Sequence, residues 1–490
     1  KKLDTIFPID DGHRVVCLAG AGLATLSNSV KEWFPDRESH SILGSTFLNP
    51  TTAAGVAFGS GGTQLRKGSA YTDRAMYITV DQNKWGENVV KVVNTLGVEG
   101  IEDEDFPNNC GKAIKALDEY QHDVKQGFQR SMGKSSKSKH GKGNASDTGY
   151  AERVCKDTPE VARYNADTRG CDCNRSEGKV LILATVHDTF QKPDVSKTFW
   201  VSFSDLETAL AFRREVCLEN ATDLPVSLEY MDRDSFDIID RSGRVMANLI
   251  KFIGPTSSIV KQLWNIKLFI EGLPFDYAPL ICDKLLHVVN PVFPAVLPSD
   301  VMKNGKAMDH HIAMSAGEFG NGELDRLLDR MQKFASKHGK DKIAIHECRN
   351  SSEENSLNAF RFVAATAFRT WCVGEGAQGI SVDYALPKNA GDTPPLSTAT
   401  PLKRMRYSHF GCNVVHEDLA YGPEVDVHAA KMELKKTVER SCGGKLPAEH
   451  GHGTEYHAPK EAQNRWKRMD PLNVMNPGVG GLPTTYKYKE

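Results

Sequence analysis

The chain has 490 residues, 40% of them hydrophobic and 25% charged, which excludes wholesale disorder and fibrous architectures. Its 61 basic and 63 acidic residues give a net charge of −2 and exclude bulk nucleic-acid binding. Eleven cysteines, odd in number and sparse, argue against a secreted disulfide scaffold and for a reducing compartment. No run of about 18 uncharged apolar residues is present to span a bilayer as a helix. Lys1–Asp4 opens the chain without an apolar signal region. The expectation is a soluble or peripheral intracellular protein of about two to four folded units.

In chain order, His13–Gly20, Ala75–Asp81 and Val89–Asn94 are β-branched runs bounded by turn residues, predicting strands. Between the first two lies Thr51–Gly68, TTAAGVAFGSGGTQLRKG, in which small residues let backbone approach a bulky ligand closely. Alone, it reads as tight turns. Gln129–Gly143 carries five Lys or Arg and no acid and reads as a solvated insertion. Cys171–Cys173 reads as an exposed loop, and Lys179–Val186 as a fully buried strand. Ser204–Glu207 is a capping box that predicts a helix through about Leu218. From Met246 to Pro298 apolar residues cluster and charges are scarce. Ile250, Phe252, Leu263, Trp264, Leu268, Phe269 and Ile270 give more apolar surface than one small subdomain buries. A buried helical insertion and a membrane-docking surface both fit, and basic and acidic residues nearly cancel there. Gly320–Ala335 predicts an amphipathic helix, and Asn355–Phe368 a second.

Chemically able residues concentrate in the last quarter. A straight strand would hold His409 and His416 about 23 Å apart, and one helix about 10 Å apart. Both reach one metal only if Gly411–Asn413 reverses the chain, as those residue types permit. Glu449-His450-Gly451-His452-Gly453 follows. Two imidazoles and a carboxylate suit Zn²⁺ or Mn²⁺ with an open position. For the cluster, that reading and one of ordinary hydrogen-bonded histidines stand even. A zinc hydrolase built on Glu449, His450, His452 and His457 is a competing set.

These stretches resemble the quinone-dependent D-lactate dehydrogenases, FAD-binding flavoproteins of the vanillyl-alcohol-oxidase (PCMH) type. The resemblance runs in order through His40–Gly62, Arg163–Asp167, Gly178–Phe190, Glu229–Ile238, Arg406–Asp418, Val425–Ala429, Pro447–Gly453 and Asp470–Gly480. It implies an α+β chain with the second lobe of a PCMH-type FAD-binding domain, an antiparallel-sheet cap domain and a helical membrane-binding insertion. The implied boundaries are 1–190 for the FAD lobe, 191–245 and 341–458 for the cap, 246–340 for the insertion, and 459–490 for a return to the FAD domain. It places FAD against Gly44, Thr51, Gly61 and Ile182, a divalent metal (Zn or Mn) on His409, His416 and Glu449, the base at His450, and the substrate-carboxylate clamp at Arg369. D-lactate, a membrane quinone and the membrane surface are the implied partners, nucleic acid is not, and a peripheral site on the cytoplasmic side of the inner membrane is implied for a bacterial source. Another D-2-hydroxy-acid dehydrogenase of the group, or a flavin-free relative serving as a binding module, are the alternatives. The family's FAD domain opens with a further α/β lobe bearing the pyrophosphate loop. Nothing before Lys1–Leu3 matches it, so a chain lacking that lobe and its FAD affinity is expected.

Overall fold

The first seven strands, most of them short β-branched runs closed by turns, are β1 (Ile6–Ile9), β2 (Arg14–Leu18), β3 (Arg37–Glu38), β4 (Ala75–Gln82), β5 (Asn88–Asn94), β6 (Leu181–Asp188) and β7 (Phe190–Gln191). The computed structural model describes residues 3–40, 49–101, 109–131, 143–164, 166–254, 257–391, 393–396 and 399–489. Five strands form an antiparallel sheet in the order β1-β2-β6-β4-β5, and β3 pairs with β7 as a two-residue ribbon. β6 is central because its apolar run buries both faces, Ile182 through His187. On one face Val16, Met76 and Leu183 meet Ala113 and Leu117 of helix Cys110–Ser131. On the other, Tyr77 and Ile182 pack on Val56 and on Trp466 of helix Lys460–Met469, so the C-terminal segment returns to the first sheet. The small-residue run is more than turns. Thr51 Oγ1 accepts from Ala54 N at 3.1 Å and caps a helix, Thr52–Phe58, which Gly59 ends at φ +60°.

Seven more strands follow: β8 (Val195–Phe203), β9 (Ser227–Asp232), β10 (His310–Glu318), β11 (Ile343–Glu347), β12 (Gln378–Ala385), β13 (Lys403–His409) and β14 (Val414–Tyr421). They make one antiparallel sheet ordered β11-β8-β10-β9-β13-β14-β12. One face packs on helices Leu206–Phe212 and Glu323–His338 through Phe203, Phe212, Met314 and Phe334. The other packs on helices Arg233–Ser242, Arg244–Ile253, Ser351–Phe362 and Ala364–Glu375 through Trp200, Met231, Phe236, Phe360 and Tyr407.

The structure departs from the expected elements in four places. Asp205, not Ser204, caps the helix after β8, accepting from Thr208 N at 2.8 Å while Ser204 donates its own hydroxyl to Asp205. The stretch Asn355–Phe368 is two helices that break at Val363, where ψ is 7°. The helical insertion is shorter than 246–340. β10 lies inside the large sheet between β8 and β9, and helix Glu323–His338 belongs to its core, so the stretch 246–340 is not one separate helical body. Cys173 is fully buried rather than on an exposed loop, with its sulfur 3.1 Å from that of Cys171. Most of Gln129–Gly143 lies outside the described residues.

Candidate active site

Sheet register assembles the site. Glu229 on β9 pairs with His409 on β13, Tyr407 with His416 on β14, and His416 with Asp383 on β12. His409 and His416 are therefore diagonal neighbours on one face, flanked by a carboxylate on either side. Phe410–Asn413 makes the reversal between β13 and β14, with Asn413 in the left-handed region at φ +59°.

The two imidazoles stand edge to face, Nε2 to Nε2 3.4 Å apart, and each Nε2 lies 3.6–3.7 Å from Oε2 of Glu449. Glu229 Oε1 lies 2.8 Å from His409 Nδ1, which holds that proton and leaves the Nε2 lone pair facing the cluster. Burial lowers the pKa of His409 against the pull of Glu229. Burial, then the neighbouring His409 and His450, lower that of His416 further. Both rings are thus neutral donors at neutral pH. The other Glu449 oxygen is held by the guanidinium of Arg163, which is fully buried. A tetrahedral ion with bonds of about 2.0–2.1 Å spaces its ligand atoms about 3.4 Å apart, so this donor set fits a divalent metal.

Beside the cluster, His450 Nδ1 lies 2.6 Å from Asp383 Oδ1. Asp383 Oδ2 accepts from the backbone N–H groups of Ala448 and Glu449 at 2.8 and 2.5 Å, so one carboxylate seats both the histidine and the neighbouring ligand. The His450 side chain is 69% exposed because it stands on the wall of a solvent-admitting cavity. The protein around that cavity desolvates the ring, but the charge and hydrogen bond of Asp383 more than offset this and raise its pKa. With Nδ1–H donated to Asp383, Nε2 is the basic atom.

The cavity, about 640 Å³, is walled by Ser60–Thr63, by the sheet face (Glu229, His409, His416), by Glu449 and His450, and by Arg361. Arg361 lies 4.6 Å over the Tyr407 ring, and its Nη2 is 2.9 Å from Glu229 Oε2. Its buried Nε has no hydrogen-bond partner among the described residues. Burial raises the pKa of Glu229, but His409 and Arg361 outweigh it and the carboxylate stays ionised. Two guanidiniums (Arg163, Arg361) against three carboxylates (Glu229, Asp383, Glu449) leave the bare site one negative charge. A divalent cation on the histidines would reverse that sign for an anionic ligand.

His409, His416, Glu449, His450 and Gly61 thus meet at one cavity. Arg369 does not. It faces the helices after β9, with Nε 2.8 Å from Asp283 and Nη2 3.4 Å from Glu271. The helix break at Val363 turns it away, and Arg361 occupies the cavity wall instead. Ile182 is packed into the first sheet's core and Thr51 is a helix cap, so neither lines the cavity. Gly44 lies outside the described residues. The competing hydrolase set is not assembled: His452 is buried on Glu177 and edge-on to Trp466, turned from the cluster. Sequence reasoning missed Asp383, Glu229, Arg361 and Arg163 as site residues. Arg163 sits so close that a Cβ on Gly61 would fall 2.0 Å from its Nη1, which accounts for glycine there.

The fold is similar to that in the crystal structure of p-cresol methylhydroxylase with substrate bound, which superposes at a TM-score of 0.51, covering 98% of this chain and 78% of that one at 11% identity. A family model described as D-lactate dehydrogenase, membrane binding, matches residues 198–488, and the chain belongs to that family. Quinone-dependent D-lactate dehydrogenases are similar along nearly the whole chain. That of Corynebacterium glutamicum is 28% identical over 98% of this chain and 80% of its own length. That of Haemophilus influenzae is 29% identical over 98% and 81%, and that of Escherichia coli 27% identical over 100% and 82%.

Proposed function

We propose that this chain oxidises D-lactate to pyruvate with FAD as hydride acceptor and passes the electrons to a membrane quinone. The observation that carries the reading is the convergence, in one cavity, of an Asp-held histidine, a cation-sized donor set and an arginine guanidinium. Membership of a membrane-binding D-lactate dehydrogenase family supports it.

D-lactate presents a carboxylate and an α-hydroxyl. The guanidinium of Arg361, through the part of its fork not given to Glu229, binds the carboxylate. His450 Nε2 takes the hydroxyl proton, and Asp383 stabilises the imidazolium that forms. His409, His416 and Glu449 would hold a divalent cation, which supplies a Lewis acid for the hydroxyl oxygen. The wall Ser60-Gly61-Gly62-Thr63 fits the ring end of a flavin: it brings backbone, not bulky side chains, to the cavity that His450 also lines. Bound there, FAD supplies a hydride acceptor that no side chain provides.

At the membrane, no helix among the described residues is long and apolar enough to cross a bilayer. The helices after β9 nevertheless expose Phe252, Phe269, Tyr277, Val288 and Val292 at 71–80%. Large apolar side chains exposed on one set of helices in this way suit docking on lipid. The attachment is peripheral, on the cytoplasmic side in our reading.

The test is the visible spectrum of the flavin-loaded protein, with elemental analysis for zinc and manganese. D-lactate added without oxygen should bleach the flavin band and L-lactate should not, with about one metal per chain that His416→Ala removes. A flavin band indifferent to D-lactate would overturn the reading.

A further inference from the structure

The cavity has a second wall that the chemistry above does not use. It is made by Met246 and Ile250 on helix Arg244–Ile253, Val260 and Trp264 on helix Ser258–Glu271, and Val363 at the helix break. These side chains are apolar and offer nothing to a three-carbon hydroxy acid, whose every heteroatom needs a polar partner. The same two helices turn their other faces outward. Phe252 is 75% exposed, Ile266 54% and Phe269 71%, and Leu263 stands next to Trp264 at 44%. One short helix thus has its inner side on the active-site cavity and its outer side on the lipid-docking surface.

Resting on the function proposed above, we propose that this wall is the binding site of the quinone ring, entered from the bilayer between these helices. A quinone is a flat, largely apolar ring with a lipid tail, and it partitions into the hydrocarbon phase rather than water. A route through membrane-docked helices spares it any passage through water. Trp264, half-buried on the cavity side, offers a face for ring stacking. The balance closes without a further reactant: D-lactate gives up two electrons and two protons to become pyruvate, and the quinone takes up two of each to become the quinol. Both substrates then use one cavity, the acid on the histidine side and the quinone on the Trp264 side.

The experiment is photolabelling of the vesicle-bound protein with a short-chain azido-ubiquinone, the labelled peptides mapped by mass spectrometry, with and without excess ubiquinone-1. The expected result is label within residues 246–264 that ubiquinone-1 suppresses. In parallel, Val260→Phe, which fills the wall, should raise KM for ubiquinone-1 at least tenfold relative to KM for ferricyanide, a water-soluble acceptor. Suppressible label elsewhere, or an unchanged ratio of the two KM values, overturns the site while leaving bleaching by D-lactate intact. Label in 246–264 on a protein that D-lactate does not reduce supports the quinone site and overturns the lactate reading. If Val260→Phe does not fold, the wild-type labelling decides alone.

Discussion

Replacing Asp383 by Asn removes the charge that holds His450 while keeping the side chain's size. Two unit charges about 4 Å apart are worth about 4 kcal/mol at an effective dielectric of 20. His450 is open to the cavity, so screening leaves about 2–3 kcal/mol of that to stabilise the imidazolium. At 1.36 kcal/mol per decade this is a loss of about 10²-fold in the rate of D-lactate oxidation. The amide also presents an N–H where Nδ1 or the backbone N–H groups of Ala448 and Glu449 now meet an acceptor, which adds to the loss. The assay is anaerobic stopped-flow reduction of the bound flavin by D-lactate, with flavin content and melting temperature as controls. Reduction within threefold of wild type, both controls unchanged, would refute the dyad.

The two arginines separate cleanly. Arg361→Lys keeps a charge beside Glu229 but loses the fork, and kcat/KM for D-lactate should fall about 10²-fold, whereas Arg369→Lys, facing Asp283, should leave it within twofold; equal losses would restore Arg369 to the substrate. Phe269→Asp with Leu285→Asp removes two side chains that are 71% and 62% exposed. At about 1–2 kcal/mol each for partial burial in lipid, vesicle co-sedimentation should weaken at least tenfold, and unchanged binding would clear those helices of membrane contact. Acid should destabilise the fold through His311. Burial, then Arg233, push its pKa down to about 3, against about 6.5 in an unfolded chain. The neutral ring's contribution is complete above about pH 6.5 and is lost as pH falls from there toward 3, at up to about 1.4 kcal/mol per pH unit. Melting temperatures of His311→Asn between pH 4 and 7 should fall less steeply than those of wild type, and parallel slopes would refute the assignment.

What the sequence made legible follows from local chemistry. Strands such as Ala75–Gln82 announce themselves by β-branched runs bounded by turn residues, and the chain reversal between His409 and His416 by Gly411 and Asn413. The apolar helices after β9 were visible because no small subdomain could bury them. Long-range register was not visible. Nothing local to Asp383 says that β12 lies beside β14, opposite His416, and nothing local to Glu229 says that β9 lies beside β13. The choice between Arg361 and Arg369 turned on a break at Val363 inside a stretch with unbroken helical periodicity. Arg163 gave only the weak signal of an arginine among apolar neighbours, and its partner Glu449 lies far along the chain.

The membrane-facing helices leave the large sheet after Asp232 and return to it at His310, and these two residues pair directly across β9 and β10. Seen from the sheet, everything between them is one hairpin connection. Closing a loop on the order of 80 residues costs little more than closing one of half that length, about 0.6 kcal/mol per doubling. Lengthening that connection beyond helices Arg233–Ser242 and Arg244–Ile253, which pack on the sheet, therefore costs the strands that carry Glu229, His409, His416 and Asp383 little. Its two ends stay together whatever lies between them, so the outward side chains of the membrane-facing helices can vary with the membrane while their inward ones, Met246, Ile250, Val260 and Trp264, are held to the cavity.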